Sequence, residues 1–153
     1  MKELLLAAIT SMSPVDIECV AKNIYFESRN QSHLGQMAVS HVVLNRVADE
    51  RYPDTPCEVI YQGPTHPSGM PKRNKCQFSW YCDGLSDIPI NKEMWLQSVD
   101  VAIQAISMYE SGYDITEGST HYHTYRVYPN WRHSLSKTMQ VDDHIFYRWE
   151  KYD

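Results

Sequence analysis

The chain has 153 residues, of which 42% are hydrophobic and 22% are charged, and its formal net charge is -5. This length predicts one globular domain over residues 1–153 with its own buried core. Because the only basic cluster that stands out is "PKRNK" at 71–75, we expect no nucleic-acid partner. No apolar run approaches the roughly 20 residues that cross a bilayer, so we also expect no stable membrane insertion.

The N-terminal segment "MKELLLAAITSM" contains one Lys, one Glu and a short apolar run. The run is short for the apolar region of a signal peptide, and no A-x-A-like cleavage site follows it. The sequence therefore predicts a short leading helix and a protein made in the cytoplasm without a signal peptide.

The four cysteines are Cys19, Cys57, Cys76 and Cys82. Their spacing matches no common zinc pattern. Buried free thiols are the favoured interpretation. A disulfide among Cys57, Cys76 and Cys82 is the alternative if the protein works in an oxidising compartment.

The first helix is predicted to begin at "SPVD", with Ser13 as N-cap and Pro14 at the first helical position. An apolar stripe at helical spacing follows, made of Ile17, Val20, Ala21 and Ile24. The same stripe continues to Glu27. A carboxylate at this position either reaches solvent at the helix end or lies in a poor dielectric, where desolvation raises its pKa and suits it to general acid catalysis.

Further helices are predicted over about 34–52, over the short "TPCEVIYQG" with Thr55 as N-cap and Gly63 as its stop, and over about 92–111. Residues 63–91 are predicted to form a long surface loop around one small strand at "CQFSWYC". "THYHTYRVY" and "HIFYRW" predict strands, with "VDDH" as a turn before the second. The expected fold class is α+β, mostly helical with a small antiparallel sheet near the C-terminus.

The segment His121, Tyr122, His123 would place both histidines on one face of a strand, and His144 could lie on the neighbouring strand. Three histidines could bind zinc. No acidic residue lies in the same short segment, so we predict no metal and no cofactor. The surrounding aromatic residues suit either stacking on sugar rings or packing of a small sheet.

Six segments together resemble the cell wall hydrolase family typified by the spore cortex-lytic enzymes of germination. In chain order they are "NIYFESR", "GQMAVSHVVLNRV", "YPDTPCEVIYQ", "CQFSWYCDG", "STHYHTYRVYPNW" and "HIFYRW", and they extend over about 16–149. The resemblance implies a lysozyme-like domain that cleaves peptidoglycan as a lytic transglycosylase. It also implies that the glutamate of the family's Y-x-E-A-R motif, here Glu27, is the general acid and base.

The same resemblance implies a set of substrate-binding residues, supported only by their motif match: Gln36, Asn45, Gln77, Phe78, Ser79, His121, Tyr122 and His123. One departure follows the catalytic position, where the family's E-A-R-G-E is "ESRNQ" in this chain. Because Asn tolerates left-handed backbone better than most residues, Asn30 is compatible with the turn that the family's Gly makes.

The mechanism that the resemblance implies uses one glutamic acid. Glu27 protonates the oxygen between N-acetylmuramic acid and N-acetylglucosamine, then removes the proton of the muramic C6 hydroxyl, giving a 1,6-anhydro product. The main alternative is a lysozyme-type hydrolase with a second carboxylate, for which Asp83 is the candidate. A non-catalytic wall-binding or virion structural domain and a zinc amidase are the remaining alternatives.

The expected partners are peptidoglycan glycan strands. Many family members also carry an export signal and a wall-binding module, and neither is found in this sequence. The chain therefore resembles a stand-alone phage endolysin, which would act at the bacterial cell wall after a separate membrane-permeabilising partner releases it from the host cytoplasm.

Overall fold

The computed structural model describes residues 11–151, so the leading helix predicted for the N-terminal segment lies almost wholly outside the described residues. Four α-helices and three strands follow: α1 Pro14–Ser28, α2 His33–Ala48, α3 Pro56–Ile60, α4 Lys92–Glu110, β1 His121–Thr124, β2 Ser136–Val141 and β3 His144–Arg148. Two short 3-10 helices span Ser79–Cys82 and Asn130–Ser134. The predicted α+β class is confirmed. None of the described helices has the length and apolarity that a membrane crossing requires.

The helix starts follow the capping chemistry of the sequence. The Ser13 hydroxyl accepts a hydrogen bond from the Asp16 N–H at the start of α1, as predicted. Thr55 caps α3 in the same way through the Glu58 N–H. Each such cap stabilises a helix by about 1 kcal/mol. α3 ends at Ile60, earlier than the predicted stop at Gly63.

The helical core forms where α1 and α2 pack against α4. The predicted stripe of α1, Ile17, Val20, Ala21 and Ile24, is buried. It belongs to one cluster with residues of α2 and α4 that include Val43, Ala102, Ala105 and Ile106. Because Glu27 follows this stripe at the end of α1, the packing directs its side chain toward the other elements of the fold.

The sheet is antiparallel with β3 in the centre, in the order β1-β3-β2. One face packs on α2, where Phe146 is buried against Ala38, Val39 and Val42. The turn predicted at "VDDH" is present, and Asp142 adopts a positive φ of 51° there. The sequence analysis missed β2 because "SKTMQV" is mostly polar, and only its pairing with β3 makes it a strand.

The loop at 63–91 differs from the prediction in two respects. The segment "CQFSWYC" forms no strand, and its second half is the 3-10 helix Ser79–Cys82. The cysteines form two disulfides, Cys19–Cys57 and Cys76–Cys82, so the interpretation as buried free thiols was wrong. The alternative, a disulfide among Cys57, Cys76 and Cys82, is confirmed for Cys76–Cys82. It omitted Cys19, which lies 38 residues from its partner Cys57 and is brought to it only by the packing of α1 against α3.

Candidate active site

Glu27 lies in the last turn of α1 and is half-buried. Desolvation raises the pKa of its carboxyl from 4.5 to about 7, although a hydrogen bond from Tyr122 and the charge of Arg46 act in the opposite direction. At neutral pH the carboxyl is therefore divided between its acid and its carboxylate form. A group in this state is able both to donate and to accept a proton.

Tyr122 is the residue that the sheet brings to Glu27. Side chains alternate along β1, and Tyr122 lies on the face that packs toward the helices, next to the rings of Phe146 and His144. Its hydroxyl donates a hydrogen bond to Oε1 of Glu27 at 3.1 Å. Burial, followed by the Glu27 charge, raises the pKa of Tyr122 well above its usual value, so the hydroxyl stays protonated and remains a donor.

Arg46 is the charged residue of the site that the sequence analysis missed. It is buried on α2, and its Nε donates to the Thr120 carbonyl at 2.7 Å. The guanidinium carbon lies 5.1 Å and 5.2 Å from the ring centroids of Tyr52 and Phe78. The signal was present, because Arg46 interrupts the apolar stripe of α2 formed by Val39, Val42 and Val43 as Glu27 interrupts that of α1.

The 3-10 helix Ser79–Cys82 supports the end of α1 next to Glu27. Trp80 is buried, its Nε1 donates to Oδ1 of the buried Asn23 at 2.8 Å, and its ring stacks on Phe26 at 4.9 Å between centroids. Asn23 precedes Glu27 by four residues, so the two lie on the same face of α1. The loop therefore holds the helix turn that carries the acid.

Of the three residues predicted from the "CQFS" loop, Phe78 is the one packed at the site. It is buried beside Tyr122, with ring centroids 6.5 Å apart, and beside Arg46. Gln77 and Ser79 flank it and are exposed. Their predicted contact with substrate stays a prediction.

Gln36 has a structural role at the end of α1. Its side chain is buried, and Nε2 donates to the carbonyls of Arg29 and Gln31 at 3.4 Å and 3.3 Å. These bonds close the turn between α1 and α2. Asn30 stands where the family has Gly. It does not adopt a positive φ, so the turn is made here without left-handed backbone at this position.

Asn45 anchors the segment that leads into β1. Its Nδ2 lies within hydrogen-bond distance of the Asp114 carboxylate at 2.8 Å and the Ser119 carbonyl at 2.9 Å, and its Oδ1 accepts from the Tyr109 hydroxyl at 2.9 Å. Asp114 also accepts from the Gly118 N–H at 2.7 Å. This network positions the start of β1, and therefore Tyr122, relative to α2.

The three histidines are not brought together. His121 and His123 lie on the face of β1 opposite Tyr122, whereas His144 lies on the Tyr122 face. His123 is buried, with Nδ1 bonded to the Thr124 carbonyl and Nε2 to the Tyr147 hydroxyl. Nδ1 of His121 lies within hydrogen-bond distance of the Thr120 hydroxyl, and the ring of His121 packs near Trp131. Across the described part of the chain, no group of three His, Cys, Asp or Glu side chains is arranged to hold a metal ion.

Asp83, the candidate second carboxylate, follows the 3-10 helix Ser79–Cys82. Its Oδ1 accepts a hydrogen bond from the Leu85 N–H at 2.9 Å. After burial, the Asp83 charge is the main cause that raises the pKa of Asp87. The groups that act on Glu27 are Tyr122 and Arg46, and Asp83 is not one of them.

Comparison with known sequences places this chain in a family. Residues 30–147 match the family model described as Cell Wall Hydrolase, a match that begins just after Glu27. The spore cortex-lytic enzyme of Bacillus cereus is 45% identical over 47 residues, which are 31% of this chain and 18% of that protein. That of Oceanobacillus iheyensis is 27% identical over 132 residues, 86% of this chain and 41% of that protein. The chain thus spans less than half the length of these relatives.

Two solved structures share the fold. The catalytic domain of the germination-specific lytic transglycosylase SleB from Bacillus anthracis superposes with a TM-score of 0.66 at 26% identity, covering 91% of this chain and 98% of that one. The catalytic domain of the Bacillus cereus SleB protein gives a TM-score of 0.65 at 26% identity, covering 91% and 94%. The chain belongs to the cell wall hydrolase family.

Proposed function

We propose that the chain cleaves the β-1,4 bond between N-acetylmuramic acid and N-acetylglucosamine in peptidoglycan as a lytic transglycosylase, with Glu27 as the single acid and base. The observation that carries the proposal is the desolvated carboxyl of Glu27, whose pKa of about 7 suits it to both roles at neutral pH. The description of the SleB neighbour as a lytic transglycosylase supports the reaction type.

In the first step, protonated Glu27 transfers its proton to the glycosidic oxygen while the bond from that oxygen to C1 of muramic acid breaks. The N-acetylglucosamine product leaves with a hydroxyl group. Because the Tyr122 hydroxyl donates to Oε1 of Glu27, the proton is carried by Oε2. The same hydrogen bond stabilises the carboxylate that remains.

In the second step, the Glu27 carboxylate removes the proton from the muramic C6 hydroxyl as its oxygen forms a bond to C1. The products are a 1,6-anhydromuramic end and a Glu27 carboxyl that is protonated again. The reaction consumes no water and needs no second acid. Intramolecular attack by the substrate's own hydroxyl also has a large advantage in effective molarity.

For the biological setting we propose a phage endolysin that acts at the wall of the host cell after a membrane-permeabilising partner admits it. The two disulfides support a place of action outside the reducing cytoplasm. The test is expression in a bacterial host with and without a pore-forming membrane protein. Lysis that depends on both proteins supports the setting, and lysis or survival that is the same with and without the pore contradicts it.

The activity itself is tested by mass spectrometry of the fragments released from purified peptidoglycan. The wild-type chain should release muropeptides with 1,6-anhydromuramic ends, and Glu27→Gln should release none. Glu18→Gln, which changes an exposed acid on the same helix, is the matched control and should behave as wild type. Release of free stem peptides, or no release by the folded wild-type chain, would overturn the proposal.

A further inference from the structure

Arg46 is a buried cation without a carboxylate bound to it. Among the described residues, Arg46 forms no ion pair within 4 Å, and the five ion pairs that the structure contains involve other residues. Its Nη1 is buried without a hydrogen-bond partner. A buried charge in this condition costs several kcal/mol of stability unless something compensates it. Aromatic rings and one carbonyl are its neighbours, and they compensate only in part.

The neighbours of Arg46 connect it to the acid. Its Nε holds the carbonyl of Thr120, the residue before His121 at the start of β1. Two positions further along the chain, Tyr122 reaches Glu27 with its hydroxyl. The ring of Phe78 is also close to both groups, with its centroid 5.2 Å from the guanidinium carbon of Arg46 and 6.5 Å from the ring centroid of Tyr122. Arg46 is thus linked to the Tyr122 and Glu27 pair through Thr120 and Phe78.

We propose that Arg46 is a positioning residue that acts through Glu27: its buried positive charge stabilises the carboxylate that forms when Glu27 gives its proton to the glycosidic oxygen, and its bond to Thr120 holds β1 where Tyr122 meets that carboxylate. The inference rests on the proposed function and deepens it. A nearby cation in a poor dielectric acts more strongly than in water, so its effect is largest when the substrate closes the site.

The other titratable groups around the site are neutral at neutral pH, so Arg46 is the cation that acts on the Glu27 carboxyl. Burial raises the pKa of Tyr52, which keeps it neutral beside the guanidinium. Burial, followed by the charges of Arg46 and Arg51, lowers the pKa of His121 to about 4, so it adds no second cation at neutral pH. Tyr122 stays protonated as well. Glu27 is the acidic residue whose charge acts on Arg46, and Arg46 is the cation that acts on Glu27.

The test compares variants of Arg46 that separate its charge from its shape. Arg46→Gln removes the charge and keeps an N–H donor for the Thr120 carbonyl, whereas Arg46→Met removes both. Arg46→Lys keeps the charge and loses the planar fork. The measurements are the pH dependence of kcat/KM on purified peptidoglycan and the titration of the Glu27 carboxyl by ¹³C NMR, which is assigned with Glu27→Gln.

In the neutral variants the Glu27 carboxyl should titrate about one pH unit higher than in wild type, the lower end of the effect of a nearby opposite charge. The high-pH limb of kcat/KM should move up with it, because the acid form persists to higher pH. The rate at the optimum should fall by up to about tenfold, less than the roughly hundredfold or larger loss expected on removing the acid itself. In Arg46→Lys the Glu27 carboxyl should titrate as it does in wild type, even where the melting temperature of this variant is lower.

A Glu27 titration that is the same in wild type and in folded Arg46→Gln would overturn the role of Arg46. So would an Arg46→Lys variant that titrates like the neutral ones. Failure of both neutral variants to fold would assign Arg46 to stability alone and would also overturn it. The NMR titration does not depend on turnover. A wild-type chain without activity on peptidoglycan would therefore contradict the proposed function, while the effect of Arg46 on the Glu27 carboxyl would still be measured by the titration.

Discussion

The Tyr122 hydroxyl donates to Oε1 of Glu27 at 3.1 Å and joins two residues that lie 95 positions apart. Glu27 ends the apolar stripe of α1, and Tyr122 occupies the inward face of β1. The contact therefore exists only when the helical core and the sheet are packed together. It couples the proton affinity of the acid to the position of the sheet.

Tyr122→Phe tests this coupling. The hydrogen bond lowers the pKa of Glu27, so its removal should raise that pKa and move the high-pH limb of kcat/KM to higher pH. The ring remains to pack on Phe146, so the fold should be retained. Tyr125→Phe, an exposed tyrosine just after β1, is the control and should leave the profile unchanged. The role of the hydroxyl is refuted if Tyr122→Phe and wild type give the same pH profile.

Glu27→Gln should make the protein more stable above neutral pH. The pKa of Glu27 is about 7 in the folded chain against 4.5 for an ordinary glutamate. Its contribution to stability is therefore complete below about pH 4.5 and is lost as the pH rises through about 7. With an allowance for its partial exposure, the variant should gain on the order of 2 kcal/mol at about pH 8.

The gain is measured as the difference in melting temperature between Glu27→Gln and wild type across pH, and about 2 kcal/mol corresponds to several degrees for a chain of this size. The difference should shrink on acidification to about pH 4.5. Glu18→Gln should show no comparable pH dependence. A difference that is constant with pH would mean that burial does not raise the pKa of Glu27.

The sequence predicted best what local chemistry decides. The caps at Ser13 and Thr55 and the apolar stripe that ends at Glu27 depend on residues a few positions apart, and the structure confirms them. β2 was missed because its polar residues become a strand only by pairing with β3. The Cys19–Cys57 disulfide was missed for the same reason, since it depends on how two helices pack.

The site shows the same division. Motif resemblance pointed to both Glu27 and Tyr122, yet their hydrogen bond is a tertiary contact that no spacing rule reveals. Among the other predicted contacts, Gln36 and Asn45 are engaged in bonds that hold loops, and His121 and His123 lie on the opposite face of β1. Arg46 was not predicted because its partner, the Thr120 carbonyl, lies 74 residues away in the sequence.

Chelation should leave the activity unchanged. The proposed steps use only the carboxyl of Glu27 and the hydroxyl of the substrate. His121 and His123 are bonded within the protein, to Thr120, Thr124 and Tyr147. The measurement is the rate of peptidoglycan clearance with and without EDTA. Loss of the activity in EDTA, with recovery on addition of zinc, would contradict the metal-independent mechanism.

The two disulfides should have different roles. Cys19–Cys57 closes 38 residues and should contribute about 4 kcal/mol to stability, whereas Cys76–Cys82 closes six and should contribute about 2. The shorter loop, however, carries Phe78 and Trp80 against the site. We therefore expect the double variant Cys19→Ser with Cys57→Ser to lower the melting temperature more than Cys76→Ser with Cys82→Ser does.

Cys76→Ser with Cys82→Ser should instead lower the activity more at a temperature where both variants are folded. The check is the specific activity of each double variant at a temperature well below both unfolding transitions. Equal losses of activity, or a larger loss in Cys19→Ser with Cys57→Ser, would show that the short disulfide does not order the site.

Asp83→Asn should leave both the rate and the products unchanged. A hydrolase of the lysozyme type needs a second carboxylate that acts as nucleophile or activates water at the same bond. Asp83 is bonded to the Leu85 N–H, its charge raises the pKa of Asp87, and it is not among the groups that act on Glu27. The hydrogen-bond partner of the Glu27 carboxyl is a tyrosine and the charge that acts on it is that of an arginine, so the proposed mechanism takes the C6 hydroxyl of the substrate as the attacking group. Mass spectrometry of the released muropeptides should show 1,6-anhydromuramic ends from wild type and Asp83→Asn alike. Reducing muramic ends from wild type, together with a loss of activity in Asp83→Asn that Asp87→Asn does not share, would establish a hydrolase and would refute the single-acid mechanism.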